Sequence, residues 1–291
     1  MTELPMTVLV HEGPTARAYL ELMRRAGWQP RHIVVMAYER IPGHGGRPGC
    51  WIPVPDWRRR YRLWAQQQLL MHWPWRIRAR LPAFYEALMS GLQQWHPVAP
   101  EIMDSILSPA CWDQYAGRVS PCAVSSLGDP RLEEMLSRES PGYVLFTGGG
   151  LVPRSLLALE KLRFLHVHPG WLPAVRGADG LLWSLLLYGR PAASCFFMTP
   201  GLDEGEILWR GEFDPPQFEF PSLSGVDYDT RYRAIFSFVD PLLRALALSR
   251  LLEASHGLQT LPQALVQGAD EGEVFHFMHP ELRGHAIDRL F

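Results

Sequence analysis

The first residues of the chain alternate between a short apolar strand, an amphipathic helix and a second apolar strand. Met6 to Val10 predicts the first strand, and His32 to Met36 predicts the second. Between them, the break at Gly13-Pro14-Thr15 predicts a helix from about Ala16 to Ala26. A strand, a helix and a strand at this spacing predict the opening of a parallel α/β sheet.

The same alternation returns after about residue 115. Asp129 followed by Pro130 is typical of a helix start, because the aspartate caps the free amides and the proline needs no partner. Further strands are predicted at Tyr143 to Thr147, Phe164 to Val167, Ala193 to Met198 and Ile207 to Phe213. We therefore predict a doubly wound, mostly parallel, Rossmann-like α/β domain over residues 1–213, with ligands at the carboxyl ends of its strands.

An insertion is predicted between the strands at residues 41–115. It begins with the Gly- and Pro-rich stretch Pro42 to Pro55 and continues with many arginines and tryptophans from Trp57 to Arg80. Such a segment could stack and clamp a nucleic acid. We favour a helical lid with its tryptophans packed inward, because the formal net charge of −2 offers no general attraction to phosphate.

The strand–helix alternation ends before residues 214–291, whose sequence pattern is different. Proline residues form a linker, and a long helix is predicted from Asp229 to about Ser255, where Pro241 should kink or split it. Val274 to Met278 is predicted as a hairpin strand. We expect residues 214–291 to form a small C-terminal α+β appendage.

Composition narrows the function classes. The only lysine is Lys161, which argues against a Walker-type phosphate loop and against a Schiff-base enzyme. The cysteines lack the close spacing of a zinc or redox site; they are Cys50, Cys111, Cys122 and Cys195. No apolar stretch is long enough to span a bilayer, so we expect a soluble, cytoplasmic protein without a membrane partner.

The segment from Leu165 to Pro173 concentrates the chemistry. His166 and His168 are two residues apart at the end of a predicted strand, so their side chains share one face. Asp203 follows 35 residues after His168 in a predicted loop. A carboxylate that reaches an imidazole fixes its tautomer and raises its basicity, which suits a general base. The same residues would suit zinc or iron, but no further ligand is evident and we predict no metal site.

Two runs of sequence resemble the folate-dependent formyltransferase family, which includes glycinamide ribonucleotide, methionyl-tRNA and amino-sugar formyltransferases. The first run is His-Pro-Gly-Trp-Leu-Pro-Ala-Val-Arg-Gly, His168 to Gly177, and the second is Gly-Leu-Asp-Glu-Gly-Glu-Ile-Leu, Gly201 to Leu208. The family pattern is Asn-x-His-Pro-Ser-Leu-Leu-Pro, followed by Asp-x-Gly at a similar distance. Tyr143 to Pro153 is also similar to the strand and turn ahead of the family's active site. The resemblance covers roughly Met6 to Phe213, apart from the insertion.

The resemblance implies transfer of a formyl group from 10-formyltetrahydrofolate to an amine. The family's catalytic His and Asp fall on His168 and Asp203, and its catalytic Asn falls on His166. A histidine common in the family, in the stretch just ahead of the second run, falls on Phe196. The folate pocket of the family falls on two stretches of this sequence, whose residues are Gly149, Gly150, Leu151, Val152, Met198, Thr199 and Pro200.

The family's Asn donates a hydrogen bond to the oxyanion of the tetrahedral intermediate. A histidine can also donate, through a ring N–H or as imidazolium, so we predict that His166 takes over this role. Two alternatives stay open. Water in place of the amine would make the protein a formyltetrahydrofolate hydrolase, and a broken site would make it a non-catalytic folate- or metabolite-binding module.

The acceptor is expected to be a small metabolite with an amine or hydroxylamine. A nucleic-acid acceptor such as tRNA is disfavoured, because no separate basic domain is evident after Asp214. A phosphorylated ribonucleotide is disfavoured by the turn from His11 to Thr15. In that turn Glu12 is a poor neighbour for an anion, and Pro14 lacks an amide donor.

Overall fold

The computed structural model describes residues 1–39, 56–268 and 271–291. Within them, seven strands form one sheet in the order β3-β2-β1-β4-β5-β7-β8, and β6 and β9 form a small second sheet. The strands are β1 Thr2–Val10, β2 Trp28–Tyr38, β3 Val119–Val124, β4 Gly142–Phe146, β5 Leu162–His168, β6 Val175–Gly177, β7 Ala192–Phe197, β8 Ile207–Glu212 and β9 Glu273–Phe275.

The large sheet is mostly parallel, as predicted. β3, β2, β1, β4 and β5 run parallel to one another, whereas β7 is antiparallel to β5 and β8 is antiparallel to β7. The chain order reverses between β1 and β4. In a sheet of this kind, the carboxyl ends of the strands at such a reversal form a crevice for ligands.

Helices cover both faces of the sheet. The helices are α1 Pro14–Arg25, α2 Asp56–Leu70, α3 His72–Arg80, α4 Pro82–Trp95, α5 Ala99–Leu107, α6 Pro130–Ser137, α7 Arg154–Leu157, α8 Gly180–Tyr188, α9 Tyr228–Ala234, α10 Asp240–Ala254 and α11 Pro280–Ile287. Pro14 is the first residue of α1. The predicted cap of α6 is also present, since the Asp129 side chain accepts a hydrogen bond from the amide of Arg131.

Alternating residues of each strand enter two hydrophobic cores. One core joins Val8 of β1 and Val167 of β5 to leucines of α1, α8 and α10. The other joins Leu9 of β1 and Phe164 of β5 to α6 and α7. Because successive side chains of a strand point to opposite faces, Val167 faces α10 while the flanking histidines belong to the other face.

The predicted insertion is helical where it is described. Residues 56–115 form α2 to α5 and a short 3₁₀ turn, while Pro42 to Pro55 lie outside the described residues. Trp73 and Trp75 are half-buried against the main core. Trp64, in contrast, is 54% exposed.

The long C-terminal helix is split, as Pro241 predicts. α9 ends at Ala234, a π turn covers Ile235–Val239, and α10 starts at Asp240. Proline has no N–H to bond the preceding turn, and a widened turn accommodates that loss. α10 packs against α1 and shares the main core with the sheet. A separate unit beginning at residue 214 stays a prediction.

The hairpin predicted at Val274 to Met278 is wrong. β9 pairs in parallel with β6, far away in the sequence. Two glycines permit this close approach: a Cβ on Gly177 would clash with the Phe275 oxygen, and a Cβ on Gly272 would clash with the Pro173 oxygen. None of the described helices is long and apolar enough to cross a membrane.

Candidate active site

Strand β5 ends with the two histidines. His166 is 7% exposed and His168 is 3% exposed. His166 lies opposite Phe196 of β7, and His168 lies opposite Ser194. The strand ends at His168 because Pro169 cannot donate to a ladder hydrogen bond.

A main-chain carbonyl fixes the tautomer of His168. Its Nε2 lies 2.9 Å from the Val175 oxygen. A carbonyl only accepts, so Nε2 carries the hydrogen and the neutral ring keeps its lone pair on Nδ1. A Cβ on Gly170 would lie 2.5 Å from Nε2, and one on Gly180 would lie 2.8 Å from it. Since backbone packs against the Nε2 edge, Nδ1 is the atom that can accept a proton.

Asp203 approaches this Nδ1 atom. Its Oδ2 lies 3.5 Å from Nδ1 of His168 and accepts a hydrogen bond from the Gly177 amide at 2.8 Å. Burial lowers the pKa of His168, and the negative charge of Asp203 acts against that effect. The Val175 carbonyl therefore performs the tautomer selection that the sequence argument gave to the carboxylate. The contribution of Asp203 is its charge.

His166 is held by a different carbonyl. Its Nδ1 lies 3.0 Å from the Phe146 oxygen, so the neutral ring donates its single N–H there and keeps a lone pair on Nε2. Burial and, after it, the positive charge of Arg244 lower the pKa of His166 to about 4. Neutral His166 thus has no hydrogen left for an oxyanion. The role predicted for it requires the imidazolium form.

The two predicted folate-binding stretches each place one apolar side chain against the same core cluster. Val152 belongs to the core cluster of Phe146 and Phe164, and Met198 packs against the same cluster. Leu151 is 61% exposed. Gly149, Gly150, Thr199 and Pro200 are exposed as well. At Gly150, with φ of 93°, no atom lies within 4 Å of an added Cβ, so the main chain there is open to a flat ring.

The first turn differs from the sequence-based expectation at Glu12. Glu12 is buried and pairs with Nε of Arg17 at 2.9 Å, so its charge is compensated inside the protein. The turn still has few free donors, because Pro14 has no N–H and the His11 amide donates to Thr147 Oγ1. Only this second argument against a phosphorylated acceptor remains.

Sequence reasoning missed the groups that surround the histidines. Val175, Gly170 and Gly180 act through backbone, which a motif does not reveal. Arg244 donates to the Val167 carbonyl, and its only signal in the sequence was an Asp-Pro-x-x-Arg pattern in the kinked helix. Among the described residues, no group of three or more His, Cys, Asp or Glu side chains is arranged to hold a metal ion.

Comparison with known proteins shows partial similarity. No family model matches the chain. Methionyl-tRNA formyltransferase of Syntrophus aciditrophicus is 35% identical over 130 residues, which are 43% of this chain and 38% of that protein. The enzyme of the same name from Rickettsia rickettsii is 36% identical over 72 residues, 24% of each chain. The matches thus span well under half of these relatives.

A solved structure of a sugar N-formyltransferase from a Shewanella species covers 99% of this chain and 86% of its own. Its TM-score is 0.47 at 12% identity, too low to support a conclusion about this chain. The sequence matches, in contrast, agree with the resemblance given by the His168 and Asp203 motifs. Over part of its length, this chain is similar to proteins named methionyl-tRNA formyltransferase.

Proposed function

We propose that the protein transfers a formyl group from 10-formyltetrahydrofolate to an amine or hydroxylamine nitrogen of a small metabolite. The observation that carries the proposal is the Nδ1 lone pair of His168, which lies 3.5 Å from the Asp203 carboxylate at the end of β5. The relatives that match in sequence are named as formyltransferases, which supports the same class of reaction.

In the proposed reaction the acceptor nitrogen attacks the formyl carbon and forms a new C–N bond, and the bond from that carbon to folate N10 breaks. His168 accepts on Nδ1 the proton that the acceptor nitrogen loses. It then returns a proton to the departing folate nitrogen. Asp203 stabilises the imidazolium that exists between these two steps.

His168 must be neutral to accept a proton, whereas the role proposed for His166 requires the protonated ring. To donate from Nε2 to the formyl oxygen, His166 must first be protonated, because its other N–H is bonded to Phe146. With a pKa of about 4, roughly one molecule in a thousand holds that proton at pH 7. Negative charge developing on the formyl oxygen favours the imidazolium. We propose that His166 donates only in this form.

The donor is proposed to bind against the stretches from Gly149 to Val152 and from Met198 to Pro200. Exposed backbone at the glycines, the exposed side chain of Leu151 and the half-buried Met198 suit a flat heteroaromatic ring. A small metabolite remains the proposed acceptor, supported by the donor-poor turn at Pro14. The names of the sequence relatives make aminoacylated tRNA the competing acceptor.

One assay tests these assignments. Absorbance is followed while 10-formyltetrahydrofolate is offered alone, with a panel of small amines and hydroxylamines, and with methionyl-tRNA. Turnover that depends on a small amine supports the proposal. Turnover without any amine would make the protein a hydrolase, turnover with methionyl-tRNA alone would replace the acceptor class, and tight binding without turnover would make it a binding module. A His168→Gln variant should lose any turnover that depends on this site.

A further inference from the structure

Helix α10 carries an ion pair against the strand that holds both histidines. Arg244 Nε lies 2.9 Å from Asp240 Oδ2, and the two side chains are 15% and 3% exposed. Arg244 Nη1 donates to the Val167 carbonyl at 3.0 Å. Val167 is the residue between His166 and His168, so one guanidinium holds the strand end and its counter-ion at the same time.

Burying this ion pair costs free energy of folding, because both charges lose their hydration. Burying a charged pair seldom stabilises a protein more than apolar residues of the same size would. Asp240 Oδ1 is buried without a hydrogen-bond partner. The pair also follows directly on the π turn at Ile235–Val239, and turns of that kind occur frequently at functional sites. A structural role alone would be served by a leucine at each position.

We propose that the Arg244–Asp240 pair is a positioning element, which holds the backbone between the two histidines and sets the charge of the site without touching substrate. The catalytic consequence rests on the proposed function. The effect on the imidazoles does not, because it can be measured without any substrate.

The charges around the imidazoles determine the sign of the effect. Asp203 from the loop after β7 and Arg244 from α10 act on both rings, Asp240 from α10 acts on His168, and His168 acts on His166. After burial, Arg244 is the largest cause that lowers the pKa of His166. For His168, Arg244 lowers the pKa and Asp240 raises it. Loss of the arginine and loss of the aspartate should therefore shift the titrations in opposite directions.

The test is an NMR titration of the histidine rings in the full-length protein, with resonances assigned through His166→Asn and His168→Asn variants. In Arg244→Gln the midpoint of His166 should move up, and in Asp240→Asn the midpoint of His168 should move down. Arg250→Gln removes the same charge from an exposed position of α10 and serves as the matched control. It should leave both midpoints unchanged.

The Arg244→Lys variant tests the effect of the positive charge separately from the effect of the guanidinium's hydrogen-bond geometry. Arg244→Lys keeps the positive charge but cannot hold both Asp240 and the Val167 carbonyl through a planar fork. The His166 midpoint should stay near that of the wild type, while kcat/KM for formyl transfer falls about tenfold because the strand end is less well fixed. A Lys variant with both quantities at the wild-type level would show that the fork is unnecessary and overturn the geometric half of the proposal.

A double variant keeps the proposal testable if a single variant fails to fold. Arg244→Met combined with Asp240→Leu removes both charges and leaves no buried ion without its partner, so it should fold. Its His166 midpoint should also rise. If Arg244→Gln and the double variant fold and both midpoints stay at the wild-type values, the proposal is wrong. Shifted midpoints in a protein that never uses 10-formyltetrahydrofolate would support the pair's effect on the imidazoles and overturn the proposed function instead.

Discussion

His166 donates its Nδ1 hydrogen to the main-chain oxygen of Phe146, 3.0 Å away. His168 is held in the same manner through Nε2 by Val175. Each neutral imidazole therefore has its N–H bonded to backbone and its other nitrogen free as a base. The proposed formyl transfer needs one base and one donor to the oxyanion, so we expect His166 to act differently from the asparagine that the family resemblance implies at this position.

Replacing His166 by asparagine should make the enzyme faster at neutral pH. An asparagine amide donates without being protonated, whereas His166 with a pKa of about 4 is almost entirely neutral there. One oxyanion donor is worth about 10²–10³ in rate, so kcat at pH 7.5 should rise at least about tenfold. The measurement is kcat for formyl transfer from pH 5 to pH 8.

The control for this substitution is His166→Leu, which removes both the lone pair and the possible donor. It should be slower than the wild type throughout the pH range. If His166→Asn is slower than the wild type at pH 7.5, neutral His166 contributes to catalysis in another way, and the imidazolium role fails.

Burial of His166 should also make the folded protein sensitive to acid. The pKa of His166 is lowered from 6.5 to about 4 in the folded chain, so between these values the unfolded chain binds the proton and the folded chain does not. The free energy of unfolding therefore falls as the pH drops from 6.5 to 4, by about 3 kcal/mol from this one group. Urea denaturation at several pH values measures it.

The His166→Asn variant provides the comparison for this pH effect. It should lose less stability over the same window than the wild type. It should still lose some, because burial also lowers the pKa of His11 to about 4. Parallel curves for the two proteins would mean that His166 titrates normally in the folded state.

Asp203→Asn should slow the reaction by about 10²–10³-fold. The amide oxygen can still accept from the Gly177 N–H, and asparagine tolerates the left-handed backbone at this position, where φ is 55°. The substitution therefore removes charge and little else. Without that charge the pKa of His168 falls further, and its imidazolium loses its counter-ion. The measurement is kcat for formyl transfer.

Glu206→Gln is the matched control for Asp203→Asn, because Glu206 lies in the same loop but pairs with Arg163 at the surface. This control should keep the wild-type kcat. A kcat for Asp203→Asn within threefold of the wild type would show that His168 works without its carboxylate.

The sequence predicted the α/β sheet well because the strands carry a local signal. Apolar runs such as Val8 to Val10 and caps such as Asp129 are read from neighbouring residues alone. The pairing of β9 with β6 was not predictable, because a parallel pair between distant segments has no turn to mark it. His168 and Asp203 were indicated by their positions at a strand end and in a loop, and the family resemblance then implied their catalytic roles.

The groups that set the protonation of the candidate site could not be predicted from the sequence. The carbonyl of Val175 and the space left by Gly180 have no side chain to attract attention. Arg244 meets the Val167 carbonyl only because α10 packs against β5, a contact that follows from the three-dimensional arrangement. A sequence therefore indicates which side chains perform the chemistry more readily than it indicates which backbone atoms set their protonation.

Leu151→Ser should weaken folate binding without affecting the fold. Leu151 is 61% exposed, so it contributes little to stability as it stands. Against a bound ring it would bury apolar surface worth about 1 kcal/mol, so the Kd of tetrahydrofolate should rise about three- to tenfold. Calorimetric titration measures the Kd. Leu187→Ser, at a residue of similar exposure on α8, should leave the Kd unchanged; equal affinities for both variants would remove Leu151 from the donor pocket.

Gly180→Ala should abolish most activity although alanine is the better helix former. Gly180 is the first residue of α8, and an added Cβ would lie 2.8 Å from His168 Nε2 and 2.8 Å from the Pro169 oxygen. Helix propensity favours the alanine by up to about 1 kcal/mol. The imidazole must nevertheless move, which breaks its bond to Val175 and shifts Nδ1. We expect kcat to fall about 10²-fold, as for a displacement of roughly 1 Å.

The matched control for Gly180→Ala is Gly117→Ala, where an added Cβ has no atom within 4 Å. Its kcat should equal that of the wild type. Because Gly180→Ala acts on one ring nitrogen, the NMR signal of His168 should shift while that of His166 stays in place. Full activity in Gly180→Ala would mean that the His168 ring tolerates displacement. It would also contradict the assignment of the catalytic tautomer to the hydrogen bond with the Val175 carbonyl.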